Sequence, residues 1–195
     1  MTEIQSANYD GWELWPAERF AQIEWPSTGE RLTRETFIKY RKIGGPVVGH
    51  SNTEEMVAVA INSPLTAIAS DGYMLNGIGH PRTSGTYSKV LGRYVREAHS
   101  LTLMEALRKM TLMPARRLES RVPAMRDKGR IRVGADADLT IFDPGRVIDR
   151  ATYREPSLPS EGIQHVLVNG VPVVRMGKFV SGVAPGRAVR APGLN

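Results

Sequence analysis

Leu65-Thr66-Ala67-Ile68-Ala69-Ser70-Asp71-Gly72 is the stretch on which the fold turns. Its first five residues are too apolar to alternate with water on one face, which predicts a buried strand ending at a glycine turn. The last residue before the glycine is a carboxylate. At the carboxyl end of a buried parallel strand, an Asp points into a rim of loops, where α/β enzymes place bases and metal ligands. Arg82 follows closely enough to return to that rim, and its planar fork suits a carboxylate. The competing reading makes Asp71 a cap of the turn or of the next helix.

Working outward, Pro46-Val47-Val48-Gly49-His50 predicts a second short buried strand. Asn52 and Glu55 form a capping-box pair that opens a helix through Met56, Val59 and Ala60. Strand, helix and strand at this spacing make a βαβ unit with parallel strands. Two such strands leave unpaired edges and apolar faces, so the pattern calls for more of a longer chain or for a partner chain. Thr33 caps a helix over residues 33–43, stopped by Gly44-Gly45. Before it, Trp12, Trp15 and Trp25 lie in an irregular stretch and need a larger body to anchor on.

Downstream, Tyr87, Val90, Leu91, Tyr94 and Val95 form the stripe of an amphipathic helix. Thr102 and Glu105 open another, with Leu103, Ala106, Leu107 and Met110 on one face, and Pro114 starts a further turn through Leu118. Beyond Pro123 the texture changes to short strands at 131–133, 139–142, 166–168, 171–174 and 178–180. Asn169-Gly170 is the strongest hairpin signal in the chain, and the Pro-bearing loop 151–162 reads as a surface excursion.

Composition narrows the function. The chain has 195 residues, 41% hydrophobic and 24% charged, the balance of a globular domain. No apolar run is long enough to cross a bilayer, and the first residues carry no basic stretch or apolar core of a secretory signal. The absence of cysteine excludes disulfides and thiolate metal sites within the chain and fits a cytoplasmic location. The net charge of +6 invites nucleic acid, but the basic residues are scattered without interleaved aromatics, so no nucleic-acid face is expected.

Four histidines are present, His50, His80, His99 and His165, and none forms an H-x-H or H-E-x-x-H pair. His50 ends a predicted strand in the same rim layer as Asp71. His80 opens a loop from which it can orient Arg82 or touch substrate. His99 and His165 read as packing or surface residues. No G-x-S-x-G is present, and Gly77-Ile78-Gly79 is too short to cradle a phosphate. A strand-end Asp71 can bind a divalent ion, or take a proton from an attacking water and pass it to a leaving amine.

These residues carry a resemblance. Ala69-Ser70-Asp71-Gly72, His80-Pro81-Arg82-Thr83-Ser84-Gly85-Thr86-Tyr87 and Val90-Leu91-Gly92-Arg93-Tyr94 resemble the carboxyl-terminal part of the D-aminoacylase branch of the amidohydrolases. Gly134-Ala135-Asp136-Ala137-Asp138-Leu139 and Phe142-Asp143-Pro144 continue the likeness. The resemblance implies an α/β fold: the last strands and helices of a (β/α)8 barrel over residues 1–125, then a small β-sandwich over residues 126–195. It implies a metal-dependent hydrolase, with zinc, that cleaves the amide of small N-acyl-D-amino acids. Asp71 matches the branch's metal-site aspartate, which shuttles the proton of the attacking water, and Arg82 the arginine that grips the substrate's α-carboxylate. The remaining metal ligands of the branch lie outside this sequence, so an amino-terminal part or a partner chain would complete the site. A non-catalytic chain with an amidohydrolase-like fold and a dihydroorotase-like cyclic amidase are the alternative readings.

Overall fold

The computed structural model describes residues 2–193, which divide into two compact units. The first comprises residues 2–57, 70–84 and 151–159. It contains β1 (Thr2–Glu3), two 3₁₀ turns, α1 (Ala17–Phe20), β2 (Ile23–Trp25), β3 (Glu30–Arg31), α2 (Arg34–Ile43) and β4 (Pro46–Gly49). The first turns of α3 (Glu54–Asn62), the hairpin of β5 (Met74–Leu75) and β6 (Ile78–Gly79), and the start of α4 (Arg82–Lys89) complete it. Its main sheet has the order β1-β4-β2-β3, every pair antiparallel.

The core of this unit is aromatic. Trp15, Phe20 and Phe37 meet edge to face or tilted at 5.3–5.7 Å, closed by Ile4, Ile23, Leu32, Tyr40 and Val47. Each buried large side chain contributes about 1.5–3 kcal/mol, so the tryptophan-rich start is part of the core and not a loop laid on it. Trp25 stacks on Tyr40 at 4.2 Å. Helix α2 opens as expected: Thr33 accepts the N–H of Thr36, whose hydroxyl accepts the N–H of Thr33, and Gly44 at φ 79° ends it. Helix α3 starts one residue later than the capping signal, because Thr53, not Asn52, accepts the N–H of Met56.

The second unit comprises residues 58–69, 85–150 and 160–193. Helix α4 runs on into a π-helical stretch, Val90–Glu97, followed by α5 (Leu103–Met110) and α6 (Leu112–Leu118). The expected stripe buries Val90, Leu91 and Tyr94, while Tyr87 stays exposed. Thr102 accepts the N–H of Glu105 and caps α5. Strands β7 (Leu139–Phe142), β8 (Ile163–Val168), β9 (Val171–Arg175) and β10 (Lys178–Phe179) form an antiparallel sheet in the order β10-β9-β8-β7. Asn169 and Gly170 take φ 48° and 78°, as their two-residue hairpin requires.

Two expected strands are not formed. Residues 65–69 join no ladder: Leu65 lies in a turn and is 87% exposed. Both edges of β4 are occupied by β1 and β2, so no parallel neighbour is open to the run and the βαβ unit is absent. In the run, the N–H of Ile68 donates to the carbonyl of Lys109 at 3.1 Å and the N–H of Thr66 to that of Ser63 at 3.4 Å. Residues 131–133 likewise form no strand, with Ile131 and Val133 92% and 100% exposed. Among the described residues no helix is long and apolar enough to cross a membrane.

Candidate functional site

Asp71 stands at a turn, with φ 46°, where Asp and Asn are tolerated better than most residues. Its carboxylate is 85% exposed and accepts a hydrogen bond from Arg82 Nη2 at 2.6 Å. The rim position expected of a parallel strand end is therefore replaced by a turn, yet the two residues singled out in the sequence are in contact. Gly72 makes that possible. A Cβ there would lie 2.7 Å from Thr83 Cα, so only glycine lets the turn approach the start of α4 so closely. Thr83 Oγ1 also donates to the carbonyl of Tyr73 at 3.1 Å, pinning the next residue of the turn. An ion pair this exposed adds about 0–1 kcal/mol to stability, so its effect is to orient the side chains.

His80 caps the helix that carries Arg82. Its Nδ1 accepts the backbone N–H of Arg82 at 3.1 Å, and its carbonyl accepts the N–H of Thr83 at 2.9 Å. Helix-start N–H groups have no partner within their own helix, so an imidazole here does the work usually done by Ser or Asp. With Nδ1 accepting, the proton of the neutral ring is on Nε2, which faces the hydroxyl of Tyr153 at 3.4 Å.

A second cluster in the same unit was not visible in the sequence. Glu24 and Arg31 are cross-strand partners in β2 and β3, and Arg31 Nε lies 3.4 Å from Glu24 Oε2. Glu24 also pairs with Val48 in β4, and His50, two residues further along the same face, reaches diagonally back to it. His50 Nε2 meets Glu24 Oε2 at 2.9 Å, and the N–H of His50 extends the ladder to the carbonyl of Gln22 at 2.8 Å. Since an ionised carboxylate only accepts, His50 carries its proton on Nε2. The ring of Tyr153, from the segment read as a surface excursion, packs at 4.7 Å from His50 and 5.1 Å from His80. Burial first, and then the Glu24 charge, push the Tyr153 hydroxyl above its ordinary value, so it stays protonated at neutral pH.

Burial, followed by the Arg31 charge, lowers the pKa of His50 below 6.5, and the neighbouring Glu24 only partly opposes this. The unfolded chain therefore binds a proton at His50 before the folded chain does. Stability linked to His50 is present above pH 6.5 and is lost as pH falls through the lower folded value. Urea midpoints of the wild type are expected to decline across that acidic window, and His50→Gln to flatten the decline. Parallel curves would assign the loss to other groups.

His50, Asp71, His80 and Arg82 thus share one unit, whereas His99 and His165 belong to the other. Glu24 and Tyr153 were missed. A turn at Pro26-Ser27-Thr28-Gly29 between Trp25 and Glu30 hinted at the β2–β3 hairpin that buries Glu24. Nothing local marks Tyr153, which meets His80 from 73 residues away. Among the described residues, no group of three or more His, Cys, Asp or Glu side chains is placed to hold a metal ion. Asp71 is a single carboxylate, so these residues alone do not fit a metal site.

Residues 42–174 match the Amidohydrolase family. The chain is 47% identical over 106 residues to an N-acyl-D-glutamate deacylase of Alcaligenes xylosoxydans xylosoxydans, covering 54% of this chain and 21% of that protein. An N-acyl-D-aspartate deacylase of the same organism is 40% identical over 130 residues, covering 67% of this chain and 25% of that one. In structure the chain is similar to the N-acyl-D-glutamate deacylase of Bordetella bronchiseptica, which was crystallised with zinc and a phosphonate inhibitor, a mimic of the reaction tetrahedral intermediate. The TM-score is 0.72 at 33% identity, over 90% of this chain and 39% of that one. This chain therefore spans about a fifth to a quarter of the length of the curated relatives it matches. With its α/β architecture, it belongs to the amidohydrolase family, in the D-aminoacylase branch.

Proposed function

We propose that this chain is the carboxyl-terminal part of a metal-dependent hydrolase that cleaves the amide bond of N-acyl-D-amino acids. Residues 1–125 would contribute the last strands and helices of a (β/α)8 barrel, and residues 126–195 a β-sandwich. The observation that carries the reading is the contact of Asp71 with Arg82 at 2.6 Å, in a chain of the D-aminoacylase branch. Arg82 supplies a planar fork of donors, one of which Asp71 uses, for the α-carboxylate of the substrate. Asp71 takes a proton from the attacking water as the new C–O bond forms. It then returns the proton to the nitrogen as the C–N bond breaks, releasing a carboxylate and a D-amino acid. Zinc is proposed as the cofactor of the assembled enzyme, held largely by residues outside these 195. No nucleic acid or membrane enters the reading, and a cytoplasmic location fits it.

Zinc-loaded protein from the complete reading frame, supplied with N-acetyl-D-glutamate, is expected to release acetate and D-glutamate in equal amounts and to lose activity on chelation. No amine released with metal bound would favour the non-catalytic reading.

A further inference from the structure

The proposed reaction makes no use of Tyr153, although the side chains around Arg82 converge on it. Segment 151–159 re-enters the first unit, with Pro156 buried. The Tyr153 ring lies against the His50 and His80 rings, inclined at 52° and 75°. Beyond His50 stands Glu24, whose side chain is only 9% exposed; beyond His80 stands the backbone of Arg82. The contacts run without a break from Glu24 through His50, Tyr153 and His80 to Arg82, and from its guanidinium to Asp71.

His80 is the sensitive member. An imidazole can cap the Arg82 N–H only with Nδ1 deprotonated and turned toward the helix; the other tautomer, or a flipped ring, withdraws the acceptor. A partner that accepts the Nε2 proton selects the productive form, as the outer hydrogen bonds of an imidazole generally do. The Tyr153 oxygen is placed to accept it, at 3.4 Å. The geometry points to Tyr153 as a positioning residue for Arg82: by holding the His80 ring in one tautomer and orientation, it fixes where the carboxylate-gripping arginine starts. This inference rests on the reading of Arg82 as the group that binds the substrate carboxylate.

Tyr153→Phe keeps the ring between the imidazoles and removes only the oxygen. The loss of about one hydrogen bond is expected to quicken exchange of the Arg82 amide roughly 3- to 10-fold. The Ser84 amide, bonded to the carbonyl of Pro81, should not change. Nitrogen-15 spectra of the His80 ring should pass from the pure Nε2–H form to a mixture. In active enzyme, KM for N-acetyl-D-glutamate should rise by a similar factor with kcat unchanged. Tyr153→Ala, which also removes the ring contacts, should act in the same direction and more strongly; should it fail to fold, Tyr153→Phe decides alone. A wild-type His80 spectrum and wild-type Arg82 exchange in Tyr153→Phe would overturn the inference, as would an unchanged KM. Enzyme without any turnover would overturn the deacylase reading instead, and exchange and tautomer would still settle the place of Tyr153.

Discussion

Asp71→Asn is expected to lower the hydrolysis of N-acyl-D-amino acids by about 10²–10⁴-fold, the usual contribution of a positioned proton carrier. The same substitution should change folding stability by less than about 1 kcal/mol, because the carboxylate is exposed and its ion pair lies at the surface. Asparagine has nearly the same shape and accepts left-handed backbone as readily as Asp, so φ 46° is no obstacle to it. It can still accept a hydrogen bond from Arg82, but it cannot take up a proton from water. The variant therefore separates proton transfer from geometry. Steady-state turnover of N-acetyl-D-glutamate, read beside urea midpoints, checks both halves. Substantial turnover in a folded Asp71→Asn protein would remove Asp71 from the chemistry.

Lys109→Met should give the largest loss of stability, about 3 kcal/mol or more. Lys109 is fully buried on α5, three residues on from buried Ala106. Its ammonium donates to the carbonyl of Ser63, just beyond the end of α3, and to the carbonyl and hydroxyl of Thr66 at 3.0 and 3.4 Å. Positive charge at a helix carboxyl end is favourable, and here it also holds the run 65–69 that no strand pairs with. Methionine keeps most of the stem and supplies no donor: the Thr66 carbonyl is left short of a partner, and the Ser63 carbonyl, still bonded by the Thr66 hydroxyl at 3.1 Å, loses its charged one, at about 1–3 kcal/mol each. Urea denaturation measures the effect. A loss under about 1 kcal/mol would mean that the ammonium is not what anchors this segment.

Lys109 also shows where the sequence was hard to read. Among Leu103, Ala106, Leu107 and Met110 it looks like the polar side of an amphipathic helix, and nothing nearby announces three acceptors more than forty residues away. What was legible depended on neighbours in sequence. Thr33 and Thr102 cap their helices because a hydroxyl and an N–H three residues on suffice for the bond. Asn169-Gly170 turns its hairpin because the two residues tolerate the backbone angles themselves. Asp71 and Arg82 could be paired in advance for a similar reason, since a turn and a helix start bring them together within eleven residues. Residues 65–69 and 131–133 have strand composition, but a strand needs a partner edge, and the composition of the run carries no information about one. Glu24 and Tyr153 belong to the site through sheet register and a distant loop, which no local pattern specifies.

The central claim is that Arg82 recognises the α-carboxylate of an N-acyl-D-amino acid. Its most direct test is the ratio of kcat/KM for N-acetyl-D-glutamate to that for its α-methyl ester, measured in wild type and in Arg82→Ala. A charged hydrogen bond of about 1.5–3 kcal/mol predicts a wild-type preference for the free acid of roughly 10- to 150-fold, falling to near unity in the variant. An equal ratio in both proteins would contradict the account.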